Sequence, residues 1–176
     1  MSGHNIAIKM ISIVAKQLSM HEIKTIIDQK SGEWDRLNSA LTSIDEAFVS
    51  AVYNGSTPIG YIFLITDKDI DDEDIEIRFY WDVKFIFVEP KYRRQGIASL
   101  LINPTAEWMA DLIESVIQEA IQKKLPISQH TKAEFLSKGG ASTYNKLVSE
   151  TNNKLQARNI SPETFTLGPS AGVIRL

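Results

Sequence analysis

A basic turn that contains a glycine is the segment of this chain best suited to bind a ligand. Residues 93–96 read Arg-Arg-Gln-Gly and lie between two apolar runs, residues 83–88 and residues 97–102. The first run predicts a strand, which Pro90 ends, and the second predicts the first turns of a buried helix. Such a turn directs backbone N–H groups and the positive end of a helix at one point, and Gly96 leaves room for close approach. The expected ligand is an anionic group such as a phosphate.

This strand, turn and helix resemble the coenzyme-binding segment of the GNAT superfamily of N-acetyltransferases. The resemblance rests on the pattern Arg93-x-x-Gly96-x-Ala98, which directly follows the strand end Val88-x-Pro90. In that family the turn holds the diphosphate of acetyl-CoA. The resemblance therefore implies an acetyl-CoA-dependent enzyme that transfers an acetyl group to a primary amine by direct attack in a ternary complex.

The resemblance assigns much of the binding of acetyl-CoA to backbone groups. It implies that the N–H group of Ile86 donates to the thioester oxygen and that Val88 contacts the pantetheine. Backbone donors aimed at a developing oxyanion are worth about 3 kcal/mol each in acyl-transfer sites. The cofactor-binding residues that the resemblance implies are Phe87, Val88, Arg93, Arg94, Gln95, Gly96, Ile97, Ala98 and Ser99.

An amine is mostly protonated at neutral pH and needs to lose a proton before it attacks a thioester, so the reaction requires a general base. Asp82 is the candidate for this base. It stands where some members of the family carry a glutamate base. Strand alternation predicts that Tyr80, Asp82, Lys84, Ile86 and Val88 share one face, although a bulge would reverse this assignment. Two interpretations stay open, namely a base that acts through water and a simple ion pair between Asp82 and Lys84.

The sequence departs from the family where a tyrosine acts as the general acid. The corresponding position falls on Leu136 or Ser137, depending on the alignment. Tyr144, Ser137 and His130 are candidate substitutes, and Tyr144 is the one that we assign to the catalytic set. Two alternatives to an acetyl-CoA-dependent N-acetyltransferase stay open. One is a GNAT-like module that binds coenzyme A with weak or no turnover, and the other is a transferase of another acyl group.

The predicted elements around these residues form one α+β domain over residues 1–176. Their order is β, α, α, β, β, β, α, β, α, β. The resemblance implies a mixed, mostly antiparallel central sheet that is flanked by helices and splays open to form the acetyl-CoA cleft.

Local signals place the elements of the first half of the chain. Ser19 and Glu22 have the spacing of a capping box at the start of a helix, and Ser31 begins a second helix. Asn54-Gly55 predicts a hairpin turn. The strands are predicted at residues 5–14, 47–53, 59–65 and 75–88, with an acidic, solvent-facing loop at residues 67–74.

The second half gives weaker signals. Pro104 predicts the start of a new helix after a short one, because proline is tolerated in a first helical turn. The predicted elements are a helix over residues 105–123, a strand over 125–128, helices over 132–138 and 142–155, and a hairpin of residues 164–167 with 173–176.

Composition bounds the function further. The chain has 176 residues, 43% of them hydrophobic, a net charge of −3 and no cysteine. This mild acidity argues against general nucleic-acid binding, and the lack of cysteine suits a reducing, cytoplasmic location. No apolar run approaches the roughly 20 residues that span a bilayer, and no metal-ligand spacing is present, so neither a membrane nor a metal is expected. The expected partner is an amine-bearing acceptor, a small molecule or a protein, and a homodimer is left open.

Overall fold

The computed structural model of the protein describes residues 13–42, 47–71, 76–133 and 138–161. In chain order the elements are β1 (Ile13–Gln17), α1 (Met20–Gln29), a 3-10 helix (Gly32–Leu37), α2 (Asn38–Thr42), β2 (Ala47–Asn54), β3 (Thr57–Asp71), β4 (Glu76–Val88), a 3-10 turn (Pro90–Tyr92), α3 (Ile97–Lys123), β5 (Ile127–Ala133) and α4 (Lys138–Ala157). This order confirms the predicted α+β class. Most of the predicted first strand and all of the predicted final hairpin lie outside the described residues.

The strands form one sheet in the order β1-β2-β3-β4-β5. Neighbours from β1 to β4 are antiparallel, whereas β5 runs parallel to β4. The sheet is therefore mixed and mostly antiparallel, as expected. The long crossover from β4 to β5 is supplied by α3, as parallel neighbours require.

Each face of the sheet carries its own hydrophobic core. On the face that we call the α3 face, Ile62 packs with buried side chains of α3 and α4, such as Met109 and Leu147. On the opposite face, the α1 face, Phe63 packs with α1 and with Trp34 of the first 3-10 helix. Two layers of helices thus enclose the sheet.

The capping box that the sequence predicts is present at the start of α1. Glu22 N donates to Ser19 Oγ at 3.3 Å, and Ser19 N donates to Glu22 Oε2 at 2.8 Å. Lys16 of β1 donates to the same carboxylate. The Lys16 ammonium, assisted by the Ser19 donors, lowers the pKa of Glu22 to about 2. The start of α1 is thereby tied to the end of β1.

The hairpin between β2 and β3 is confirmed, but the acidic loop after β3 is not where the sequence predicts it. Gly55 has φ 61°, the left-handed value that its turn requires. Residues 67–71 continue β3 opposite residues 76–80 of β4, and residues 72–74 of the predicted loop lie outside the described residues. The loop prediction is wrong for residues 67–71, because strand pairing satisfies the backbone while the side chains of Asp67 and Asp69 stay exposed.

The predicted break at Pro104 is also wrong, since α3 runs unbroken from Ile97 to Lys123. Proline lacks the N–H group that would donate to the carbonyl of Leu100. Leu100 is 42% exposed, so water can satisfy that carbonyl, and Thr105 Oγ1 donates to the carbonyl of Leu101 at 2.6 Å. Burial of the apolar stripe of α3 outweighs the cost of the proline.

The region after α3 also differs from the prediction. The short strand predicted at residues 125–128 is β5, which runs from Ile127 to Ala133. The helix predicted over residues 132–138 is wrong at its start, because Lys132 pairs with Asp82 of β4. The helix predicted over residues 142–155 is α4, which begins earlier, at Lys138. Pairing with β4 decides the structure of this segment, and no local signal in the sequence reports that pairing.

A β-bulge interrupts β4 at Lys84. Phe63 of β3 lies opposite Phe85, but the next residue, Leu64, lies opposite Val83. Lys84 is therefore an extra residue without a partner on β3. One extra residue reverses the alternation of side chains along the strand beyond it.

In the described part of the chain, the far end of β4 has no partner strand on one side. Pairing between β4 and β5 ends with Val83 and Ala133. Residues 84–88 have no strand beside them on that side in the described part of the chain. In the described residues, β4 and β5 thus separate at the position where the resemblance implies a splayed cleft.

Gly60 of β3 allows close contact with the unpaired end of β4. Gly60 lies opposite Val88. A Cβ atom placed on Gly60 would lie 2.8 Å from the carbonyl oxygen of Phe87 and 3.3 Å from Cα of Val88. Because both atoms belong to the backbone, no side chain can move aside to relieve the contact.

We therefore expect Gly60→Ala to shift β4 and to lower the free energy of unfolding by about 1–3 kcal/mol, the usual effect of overpacking. Urea denaturation measures this change. The control is Ser56→Ala in the exposed hairpin turn, which should leave the free energy of unfolding unchanged. Equal stability of Gly60→Ala and the wild type would contradict the close contact.

Candidate active site

The turn between β4 and α3 holds two residues in the left-handed conformation. Arg94 has φ 62° and Gly96 has φ 76°. Gly96 is the N-cap of α3, and no side chain caps the helix there. A Cβ atom on Gly96 would meet nothing within 4 Å. The start of the helix is therefore open to a ligand.

Backbone N–H groups in this turn are available as donors. Arg93 N donates to Pro90 O at 3.3 Å, and Ser99 N donates to Gly96 O at 3.0 Å. Between them, the N–H groups of Gly96, Ile97 and Ala98 have no acceptor among the described residues. Free N–H groups at the positive end of a helix form an anion site, and alternation of left- and right-handed residues makes the site concave.

Side chains complete the turn. Arg93 Nε donates to the carbonyl oxygen of Val88 at 2.8 Å, and the guanidinium lies 6.0 Å from the ring centroid of Phe87. Gln95 Nε2 donates to Lys91 O at 2.9 Å and braces the loop. The guanidinium of Arg93 is thus held beside the turn, and its terminal amino groups have no partner in the described part of the chain.

The backbone of Ile86 and Val88 faces the unpaired edge of β4. Glu89 N donates to Ile59 O of β3 at 2.8 Å. In an antiparallel pair, alternate residues direct their N–H groups to the same neighbour, so the N–H groups of Phe87 and Phe85 also point to β3. Those of Ile86 and Val88 point the other way. Two donors about 7 Å apart therefore line the edge that leads to the turn.

These findings bring together the cofactor-binding residues that the resemblance implies. The turn and the start of α3 carry seven of them, residues 93–99, and β4 carries the other two, residues 87 and 88. All nine belong to a continuous strand, turn and helix. Phe87 differs from its neighbours, because its side chain packs on the α1 face against the ring of Trp34.

Asp82 does not share a face with Ile86 and Val88, so that prediction is wrong. Asp82 lies opposite Ile65, which packs on the α1 face, whereas Ile86 and Val88 pack on the α3 face. The bulge at Lys84 is the reason. Asp82 also forms the ion pair with Lys84 that the sequence analysis considered. Its role as a base stays a prediction.

Tyr144 lies in the core. It is 7% exposed, and its ring stacks on Trp81 with 5.9 Å between the centroids. Ser137 and the side chain of His130 lie outside the described residues. The assignment of Tyr144 as general acid stays a prediction.

A groove between α3 and α4 begins beside the turn. Ser99 and Asn103 of α3 and Lys146 and Ser149 of α4 line a cavity of about 420 Å³. Lys146 and Ser149 also line a neighbouring cavity of about 520 Å³ along α4. The sequence analysis missed Lys146, because a single surface lysine on a helix carries no local signal of a site.

Comparisons with known proteins identify the family. The model of the acetyltransferase (GNAT) family matches residues 17–125, more than half of the 176 residues. The chain belongs to the GNAT family of acetyltransferases. No curated protein matches the chain at a significant level.

Solved structures of low sequence identity are similar to this chain. A ribosomal-protein-alanine N-acetyltransferase from Brucella melitensis biovar Abortus 2308 is 12% identical, with a TM-score of 0.43, over 77% of this chain and 89% of that chain. A possible acetyltransferase from Clostridium difficile 630 is 14% identical, with a TM-score of 0.38, over 77% and 89%. An aminoglycoside acetyltransferase from an uncultured soil metagenomic sample is 12% identical, with a TM-score of 0.35, over 78% and 86%.

Among the described residues, no helix is both long and apolar enough to cross a bilayer.

The open turn generates a prediction about coenzyme A. Gly96→Glu should weaken its binding by roughly 100-fold, because a carboxylate then occupies the anion space and charge-assisted hydrogen bonds from the turn are lost. Gly96→Gln imposes the same backbone strain without the charge and should lose less affinity. Arg93→Ala should also lose less, since the backbone donors remain. Calorimetry that finds equal affinity in Gly96→Glu and the wild type would show that the turn is not the binding site.

Proposed function

We propose that this protein is an acetyl-CoA-dependent N-acetyltransferase that acts on a primary amine. The observation that carries the proposal is the continuity of two donor sets. The free N–H groups of Gly96, Ile97 and Ala98 adjoin the outward N–H groups of Ile86 and Val88. A diphosphate and a thioester carbonyl, linked by an extended chain, have the chemistry to match these two sets.

The residues fit the coenzyme as follows. Acetyl-CoA, when bound, supplies an activated acetyl group on a thiol leaving group. The N–H groups of the turn and Arg93 would hold the diphosphate, and Val88 N–H would hold the pantetheine. Ile86 N–H would donate to the oxygen on which charge develops, where a preorganised donor contributes about 3 kcal/mol. The groove at Lys146 offers room for the nucleotide end of the coenzyme.

The acceptor would approach the edge of β4 at the bulge, from the α1 face and on the side away from the contact between Trp34 and Phe87. On the α3 face, the side chains of Ile86 and Val88 pack against α3 and flank the edge. On the α1 face stand Tyr80, which is 37% exposed, and the carboxylate of Asp82. The exposed Asp67 on the same side adds negative charge, which attracts a cationic amine.

Asp82 would accept the amine proton through water. It lies four residues before Ile86, which is about 13 Å of extended strand and too far for direct contact. The ion pair with Lys84 holds the carboxylate in place at the bulge. Asp82 lies on the α1 face, the face from which the acceptor would approach.

A second candidate function is coenzyme A binding with weak or no turnover. The burial of Tyr144 in the core favours it, because a buried ring stacked on Trp81 is poorly placed to protonate a leaving thiolate. A thiol with pKa of about 8.5 leaves tolerably without an acid, so we expect slow transfer rather than none. Transfer of another acyl group is a further alternative, because the turn recognises the diphosphate and not the acyl chain.

One experiment separates these functions. The purified chain is incubated with radiolabelled acetyl-CoA and a panel of amines that includes polyamines, aminoglycosides and lysine peptides, and then with other acyl-CoA donors. We expect acetyl transfer to at least one cationic primary amine. Coenzyme A binding without transfer from any donor would support the binding module, and absence of binding would contradict the proposal.

Asp82 provides a test of the proton path. Asp82→Asn should lower kcat/KM by about 10² to 10⁴, the usual contribution of a positioned base, and leave coenzyme A affinity unchanged. High pH should partly restore the rate, because the amine then arrives deprotonated. Asp69→Asn removes an exposed charge farther from the edge and should retain most of the activity. A wild-type rate and pH profile in Asp82→Asn would remove Asp82 from the mechanism.

A further inference from the structure

Glu89 occupies the position between the unpaired edge of β4 and the turn. Its carboxylate oxygen Oε1 accepts a hydrogen bond from Lys30 Nζ at 2.6 Å and another from Trp34 Nε1 at 3.2 Å. The side chains of Glu89 and Lys30 are only 24% and 21% exposed. The Lys30 ammonium holds the pKa of Glu89 below its usual range. This is a partly buried, charge-assisted contact rather than a surface ion pair.

Lys30 joins three elements. It caps the C-terminal end of α1, where its own N–H donates to Ile26 O. Its ammonium donates to Pro58 O at the start of β3 at 2.8 Å as well as to Glu89. The same ammonium lies 4.7 Å from the ring centroid of Trp34. The end of α1 is thereby fixed to the ends of β3 and β4.

Trp34 holds two alternate residues of the same segment. Its ring is 3% exposed and meets the ring of Phe87 edge-on at 5.5 Å between centroids. Its indole N–H donates to Glu89 at the same time. Phe87 lies between Ile86 and Val88, and Glu89 directly follows Val88. Trp34 therefore contacts β4 beside both residues whose N–H groups face the open edge.

We infer that Glu89 is a positioning residue for the coenzyme site. In the binding arrangement proposed above it would not contact the coenzyme, but it fixes both the edge donors before it and the turn after it against α1 and the first 3-10 helix. The inference rests on the proposed function. A preorganised set of donors needs such support, because small displacements of binding groups cost affinity.

The first test is Glu89→Leu, which keeps the size of the side chain and removes both hydrogen bonds. Its dissociation constant for coenzyme A, measured by calorimetry, should rise about tenfold, as for other residues that support a site without contacting the ligand. Glu89→Gln retains an oxygen that accepts hydrogen bonds from Lys30 and Trp34, so it should keep most of the wild-type affinity for coenzyme A.

The matched control is Glu22, which lies in the first turn of α1, whereas Lys30, the partner of Glu89, lies at the C-terminal end of α1. Glu22→Leu removes an ion pair with Lys16 and the cap of α1, so it should lower the Tm. It should not change the dissociation constant, because it is remote from the end of β4. A purely structural role of Glu89 would produce the same pattern as Glu22→Leu.

Trp34→Phe is a second variant, which tests the inference even if Glu89→Leu does not fold. It keeps an aromatic ring against Phe87 and removes the N–H donor, and it should weaken coenzyme A binding in the same direction by a smaller factor. If the wild type binds coenzyme A while Glu89→Leu and Trp34→Phe bind it equally well, the inference is wrong and the proposed function stands. A wild type that does not bind coenzyme A would overturn both.

Discussion

The unpaired end of β4 is the constraint on which the candidate site depends. A sheet normally satisfies the backbone groups on both sides of an inner strand, yet among the described residues β4 has no partner strand on the β5 side after Val83. The outward N–H groups of Ile86 and Val88 then need another acceptor, and unpaired backbone groups away from water are costly. The carbonyl of Val88 accepts a hydrogen bond from Arg93, so the N–H groups of Ile86 and Val88 remain along the edge together with the carbonyl of Ile86. An extended ligand that offers carbonyl oxygens to these N–H groups and phosphate oxygens to the turn fits such an edge.

The bulge at Lys84 and the turn at Gly96 bound the segment that carries the edge donors, and each sets the direction of the chain at one end of it. Because of the bulge, Asp82 lies on the α1 face whereas the side chains of Ile86 and Val88 beyond it lie on the α3 face. The left-handed residues of the turn then direct the chain into α3, whose first N–H groups have no acceptor among the described residues. Between these points, the contacts of Glu89 and Trp34 hold the segment against α1. The site is thus built on backbone geometry, with few charged side chains in direct contact with the expected ligand.

The parts of the fold with local causes could be predicted from the sequence. Ser19 with Glu22, Asn54 with Gly55, and residues 93–96 each carry their own signal of a cap, a hairpin or a turn. The face of Asp82 could not be predicted, because a bulge arises from the pairing of two strands. Helix α3 continues through Pro104 because tertiary burial outweighs a local penalty. Lys30 and Glu89 are 59 positions apart, and only the folded sheet brings them together.

Hydrogen exchange of individual backbone amides, followed by NMR with and without coenzyme A, tests the central claim most directly. In the free protein, the amides of Ile86 and Val88 should exchange quickly, whereas those of Phe85 and Phe87, which bond to β3, should exchange slowly. Addition of coenzyme A should slow the exchange of Ile86 and Val88 together with that of residues 96–98. Amides of Ile86 and Val88 that are already protected in the free protein, or that coenzyme A leaves unchanged, would contradict the assignment of this edge as the binding site.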